Sequence, residues 1–156
     1  MEHPADRDDA SVGPAIRRAR ATDAAELADL SGQLGYPTTL TQMNERLPQL
    51  LGRPDHHVAV AAGGDDRAVG FIHAVVRRQL ETEPFVQVAA LVVSERRRSA
   101  GVGLALLHEA ERWARRSGVT LVRVRSNIVR ERAHRFYLRH GYSQTKTSHL
   151  FTKRLA

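Results

Sequence analysis

The stretch that most restricts the fold runs from Phe85 to Trp113. Phe85–Val93, "FVQVAALVV", is apolar except for Gln87, as expected of a strand buried on both faces. Val102, Leu106, Ala110 and Trp113 then recur at helical spacing, which predicts a helix ending near Ser117-Gly118. Between the two lies "SERRRSAGVG", with three successive arginines, Arg96, Arg97 and Arg98, and two glycines, Gly101 and Gly103. A buried strand that feeds an amphipathic helix through a short turn calls for a layered α/β arrangement.

The rest of the chain supplies the other layers. "AIRRAR", residues 15–20, predicts a short first strand, and Thr22 is read as the cap of a helix over "DAAELADLSGQL". "GYP" ends that helix. Thr39 or Thr41 opens a second one, with Met43, Leu47, Leu50 and Leu51 on it and Pro48 in its interior. "HVAVAA", "GGDD" and "RAVGFIHAVV" read as strand, tight turn and strand, followed by a polar link, "RRQLETEP". "VTLVRVRS" alternates as a strand, "VRERAHRFYLRH" reads as a helix with Gly141 just beyond it, and "YSQTKTSHLFTKRL" as one or two closing strands. Residues 1–14 are polar and acidic, with no apolar core of a secretory signal, and are expected to be a mobile tail. Residues 15–156 are expected to form a single domain.

Composition removes several classes of function. Without cysteine there is no disulfide, no thiolate metal site and no cysteine nucleophile. No apolar run approaches the roughly 20 residues that span a bilayer, so a membrane partner is not expected and the cytoplasm is the expected compartment. The formal charge of +7 favours an anionic partner: nucleic acid, an acidic surface or a phosphorylated small molecule. Aromatic residues make up only 5% of the chain, few platforms for stacking bases, which argues against nucleic acid.

The turn itself suits an anion. A helix N-terminus presents unpaired N–H groups and a partial positive charge. Glycines let a ligand approach the backbone, and a phosphate would meet several donors with arginines around it. Read alone, the same turn is equally a solvated basic loop. It is not G-x-x-x-x-G-K-[ST], and a G-x-G-x-x-G pattern would need glycine where Leu106 stands. No metal site is expected. "HEAER" has Arg112 in place of the second histidine of a zinc-protease motif, and the neighbours His56 and His57 point to opposite faces of a strand. No G-x-S-x-G is present for a serine hydrolase.

Arg98, Ser99, Ala100, Gly101, Val102 and Gly103 match [QR]-x-x-G-x-[GA]. "SNIVRERAHRFYLRHGY", residues 126–142, places an asparagine after a strand and then A-x-x-F-Y-x-x-x-G-[FY] on a helix. The two motifs, in this order, resemble the hallmarks of the GNAT superfamily of N-acetyltransferases. The resemblance is specific over Phe85–Tyr142. It implies a mixed α/β fold: a central, mostly antiparallel sheet of about six to seven strands with about four helices, strands four and five splayed.

It also implies acetyl-CoA as the acetyl donor. By that likeness, Leu91, Val92 and Val93 line the pantetheine arm, and the N–H groups from Arg98 to Gly103 hold the pyrophosphate. Asn127 touches the arm from the other side, Ala133 and Phe136 pack beside the cofactor, and Tyr137 is the acid that serves the departing CoA thiolate. A thiol pKa of about 8.5 and a tyrosine pKa of about 10 permit such a hydrogen bond. Judged by spacing alone, Tyr137 is a core aromatic.

Where some members carry a glutamate base, this chain has Gln87, which cannot accept the proton. His73, Glu81 and Glu83 are the other candidates near the acceptor, with Tyr36 after the first helix. The expected acceptor is a primary amine of a small molecule or peptide, reached directly because no cysteine can carry the acetyl group. The scatter of acidic residues speaks against a polycationic acceptor. A homodimer is expected from the family's habit of pairing. The alternative is a non-catalytic protein on the same fold, sensing CoA or binding nucleic acid through its basic surface.

Overall fold

The computed structural model describes residues 13–98 and 100–156. Most of the 1–14 tail, residues 1–12, and the predicted site residue Ser99 lie outside the described residues. The elements, in chain order, are β1 (Ala15–Arg18), α1 (Ala24–Gln33), α2 (Leu40–Leu51), β2 (His56–Ala62), β3 (Ala68–Gln79), β4 (Thr82–Val93), α3 (Val102–Arg116), β5 (Val122–Val124) and α4 (Glu131–Arg139). Short 3₁₀ turns at Ala21–Asp23 and Glu95–Arg97 lead into α1 and out of β4. The chain divides into two compact units, the first ending at Arg125 and the second being Ser126–Ala156.

The first unit holds one sheet in the order β1-β2-β3-β4-β5. The first three pairings are antiparallel and β4 with β5 is parallel. The described residues thus form five strands rather than six or seven. The difference lies at the C-terminus, where residues after Arg139 form no strand. The link expected at "RRQLETEP" is a tight hairpin instead: β3 runs on to Gln79, and Leu80 and Glu81 make the turn. Opposite Arg77–Gln79, the register shifts between Phe85 and Thr82, a local irregularity of the kind that accommodates Pro84 within a strand.

Two helices open differently from one another. Thr39 caps α2: its hydroxyl accepts from the Gln42 N–H at 3.1 Å, and the Gln42 side chain accepts from the Thr39 N–H at 3.0 Å. Thr22 does not cap α1. The Asp23 carboxylate takes the Arg20 N–H at 2.7 Å and both Arg17 guanidinium nitrogens at 2.8 Å. Burial alone would raise the Asp23 carboxyl, but these donors hold it below its usual range. Arg17 and Arg20 also reach Asp66 in the β2–β3 turn, so a single ion-pair cluster ties the entry of α1 to the sheet.

Both faces of the sheet are covered. Leu27 and Leu30 of α1 and Leu47 of α2 share a core with Val58, Val60, Phe71 and Val92. On the other face Leu106, Leu107 and Ala110 of α3 are fully buried, and each buried leucine contributes about 2 kcal/mol. Ordinary amphipathic patterning therefore fixes α3 beside β3 and β4, and with it the position of its N-terminus.

Candidate active site

The turn between β4 and α3 is held by neighbours on three sides. Val69 is an extra residue in β3, between the pairs Ala61↔Gly70 and Ala62↔Ala68. Its carbonyl accepts the Ser94 N–H at 2.8 Å. The Glu95 N–H donates to the Gln33 side chain of α1 at 3.1 Å, and Gln33 in turn donates to Asp29 at 2.9 Å. Gly101 has φ 77, the left-handed conformation that glycine adopts without strain, and stands at the N-cap of α3. Its carbonyl accepts the first helical bond, from Ala105 at 3.0 Å, which leaves the N–H groups of the first turn, Val102 and Gly103 among them, without a helical acceptor. Arg96, Arg97 and Arg98 are exposed, and no carboxylate among the described residues pairs with them. Ala100 is also exposed beside Gly101.

Sequence reasoning missed the residue that sets how closely α3 approaches. A Cβ at Gly70 would lie 2.9 Å from the Val92 carbonyl oxygen, 3.2 Å from Leu106 and 3.3 Å from Val102. Glycine there lets the first turn of α3 settle on the β3–β4 ladder. The signal was present, a glycine inside a strand pattern, which marks a close approach. Gln33 gave no such signal, because an exposed glutamine on a helix is ordinary.

Strands β4 and β5 part early. Their register covers Val86↔Val122, Gln87↔Arg123 and Val88↔Val124 and goes no further. At the same point β4 carries a bulge: His73 pairs with Ala90 and Ala74 with Val88, so Ala89 has no partner. From Ala89 to Val93 the β5 side of β4 is therefore a backbone edge with no strand partner among the described residues, and Leu91, Val92 and Val93 lie on it. Directly beyond β5, the Ser126 hydroxyl is buried without a hydrogen-bond partner among the described residues, a cost that a bound group would remove.

The predicted acceptor-side residues do not gather at one place. Glu81 and Glu83 are exposed at the hairpin tip. Glu83 is five residues from Val88, roughly 17 Å along the strand. Tyr36 is 67% exposed in the α1–α2 turn. Gln87 is half-buried and opposes Val75 and Arg123, whose guanidinium lies 4.2 Å from the centre of the Phe85 ring. His73 is on the same face of β3 as Val75, and its ring stacks on that of His56 with centroids 5.2 Å apart. His57, as expected, turns the other way, stacking on Trp113 and meeting Glu109 at 2.9 Å.

In the second unit, Asn127 opens the turn before α4. Its side chain accepts the Val129 N–H at 3.2 Å and its carbonyl the Arg130 N–H at 3.0 Å. On α4, Ala133 and Phe136 are half-buried, and Tyr137 packs edge-on against Phe136 and Tyr142. Burial pushes the Tyr137 hydroxyl up to about 12, with Arg130 opposing the shift. It is thus protonated throughout the neutral range, and full transfer to a thiolate of pKa about 8.5 would be uphill.

The model of the acetyltransferase (GNAT) family matches residues 24–142. An aminoalkylphosphonate N-acetyltransferase of Salmonella typhimurium is 38% identical over 104 residues, which cover 65% of this chain and 65% of that relative. Among solved structures, the aminoglycoside 6′-N-acetyltransferase of Acinetobacter baumannii superposes with a TM-score of 0.81 at 18% identity, over 92% of this chain and 100% of that one. A second enzyme of that class, solved with a bisubstrate analogue joining CoA to an acetylated aminoglycoside, gives 0.81 at 19% identity, over 92% and 99%. At such identity the likeness to solved structures concerns the fold.

Proposed function

Because the chain belongs to the acetyltransferase (GNAT) family, we propose that it moves the acetyl group of acetyl-CoA directly onto the primary amine of a small molecule. The observation that carries this reading is the parting of β4 from β5 at Val88, immediately ahead of the α3 N-terminus with its left-handed Gly101. An unpaired strand edge suits an extended amide-bearing arm, and free helical N–H groups beside three arginines suit a pyrophosphate. On this reading Leu91, Val92 and Val93 line the arm, and Arg98, Ala100, Gly101, Val102 and Gly103, with Ser99 among them in sequence, hold the phosphates. Asn127, Ala133 and Phe136 border the cofactor, and Tyr137 donates to the leaving sulfur.

The acceptor we propose is an amine that also carries negative charge, of the aminoalkylphosphonate class named for the 38% identical relative. The net charge of +7 supports it, as does Arg123, which pairs in register with Gln87 and lays its guanidinium over the Phe85 ring. No helix among the described residues is long and apolar enough to cross a membrane, and no three metal-ligating side chains converge among them.

The test is thermal unfolding with and without acetyl-CoA. Ligand at about 100 times its Kd adds about 2.7 kcal/mol, a rise of a few degrees for a domain of this size. Gly101→Val forces a branched side chain into left-handed backbone and should abolish the rise. No shift with millimolar acetyl-CoA would refute the reading.

A further inference from the structure

Gln87 stands where some members of the family carry a carboxylate base, yet an amine of pKa about 10 must lose a proton before it can attack. Two buried or half-buried imidazoles on β2 and β3 meet the need. His56 Nδ1 and His73 Nε2 are 2.9 Å apart. Such a contact requires one proton between the two nitrogens. His56 Nε2 is 3.9 Å from an Asp55 carboxylate oxygen, and Asp55 is itself held by both Arg53 guanidinium nitrogens at 3.0 Å. If His56 presents Nε2–H to Asp55, its Nδ1 must accept, His73 must donate from Nε2, and His73 Nδ1 carries the lone pair. His73 also pairs in register with Ala90, at the bulge where β4 leaves β5. One end of the pair thus lies one strand in from the parted edge, on the sheet face that carries Gln87 and Ala90, and the other beside an exposed carboxylate.

Resting on the acetyl-transfer reading above, we propose that His73 and His56 relay the acceptor amine's proton from the reaction site to solvent beside Asp55. The ammonium N–H is given to His73 Nδ1, the His73 Nε2 proton passes to His56 Nδ1, and the His56 Nε2 proton leaves to water. The freed amine then attacks the thioester carbonyl, the C–S bond breaks, and the second nitrogen proton goes to the departing thiolate, leaving the amide and the CoA thiol. Burial and the neighbouring arginines keep both rings uncharged with a lone pair free, and because so weak a base gathers no proton of its own, the ammonium proton moves along the pair to water in one concerted step. Burial lowers both imidazoles, His73 to about 4, and Arg53 and Arg77 push in the same direction while Asp55 raises His56. His73 is then the positioned acceptor, and His56 acts through it.

The experiment measures thiol release with 2-aminoethylphosphonate as acceptor from pH 6 to 10, for the intact chain, His73→Gln and His56→Gln, with acetyl-CoA affinity measured calorimetrically for each. At pH 7 the relay predicts a loss of roughly 10²- to 10⁴-fold in kcat for His73→Gln and a smaller loss for His56→Gln. Both losses should shrink toward pH 10, where the amine deprotonates unaided, with acetyl-CoA affinity unchanged. Full activity in His73→Gln at pH 7, or a loss equal at every pH, overturns the relay. Failure of the intact chain to bind acetyl-CoA instead overturns the acetyl-transfer reading. Should the chain bind acetyl-CoA but leave this acceptor untouched, ¹⁵N NMR of the histidines decides: complementary tautomers at Nδ1 of His56 and Nε2 of His73 support the relay. Two rings that titrate independently near pH 6.5 overturn it.

Discussion

Tyr137 carries the sharpest chemical expectation among the motif residues, a proton or a hydrogen bond for the departing CoA thiolate. Its hydroxyl, raised to about 12 by burial, keeps its proton at neutral pH, which favours the proposed hydrogen bond to the leaving sulfur over full transfer. Tyr137→Phe removes only that bond. The expected outcome is a kcat about 10- to 100-fold lower in a thiol-release assay, with the calorimetric affinity for acetyl-CoA unchanged. An equal loss of affinity would mean that the hydroxyl serves cofactor binding rather than the departing sulfur. The pairing of His56 with His73 could not be read from the chain. They are 17 residues apart, and only the β2–β3 register brings them onto one face. Asp23 was equally hidden, since its capping of the Arg20 N–H depends on Arg17 reaching back from β1.

At the scale of elements, the β4–α3 connection was legible because two strong patterns met at a glycine: an apolar strand and a 3.6-residue period. The hairpin at Leu80 was not, because "RRQLETEP" is mostly polar and shows no alternation of apolar residues, and even its Leu80 is exposed where the strands run past the sheet's core. The closing strands expected after Tyr142 failed for the opposite reason. "SHLFTKRL" has strand-like residues but finds no ladder among the described residues, and a strand is defined by its partner. Gly70 allows an element-level prediction. Gly70→Ala places a methyl against backbone at 2.9 Å and against two α3 side chains. It should destabilise the fold by about 1–3 kcal/mol in urea unfolding and weaken acetyl-CoA binding by displacing the first turn of α3. Gly101→Ala meets no neighbour and should cost only the backbone strain, about 1 kcal/mol.

For the molecule as a whole, the histidines set an acid limit on stability. His73 is lowered to about 4 in the folded chain against about 6.5 when unfolded. Between those values the unfolded chain binds more protons, so folding stability is complete above pH 6.5 and falls as the pH drops toward 4. The loss should be up to about 3 kcal/mol, with His56 and His57 lowered in the same direction. Urea unfolding from pH 7.5 to 4 measures it, and His73→Gln should flatten the slope. The C-terminal residues bear on assembly: Leu150, Phe151 and Leu155 are each at least 85% exposed. Such side chains favour association, and we propose a second copy as the partner that covers them. Sedimentation should give a dimer, and Phe151→Asp with Leu155→Asp a monomer.

The unpaired Ala89 has a consequence for how this strand can vary. A strand alternates its side chains with strict parity, and one extra residue inverts the parity of everything beyond it. Counted without the bulge, Gln87 would share its side of the sheet with Leu91 and Val93. The register instead groups it with Ala90 and Val92. Ala89 thus acts as a phase shift between the half of β4 that bears Gln87 and the half that offers its backbone to a ligand. Substitution at Ala89 leaves that phase intact. Deletion would restore unbroken alternation and exchange the two sides of one half, so this short alanine pair should accept changes of residue far better than changes of length.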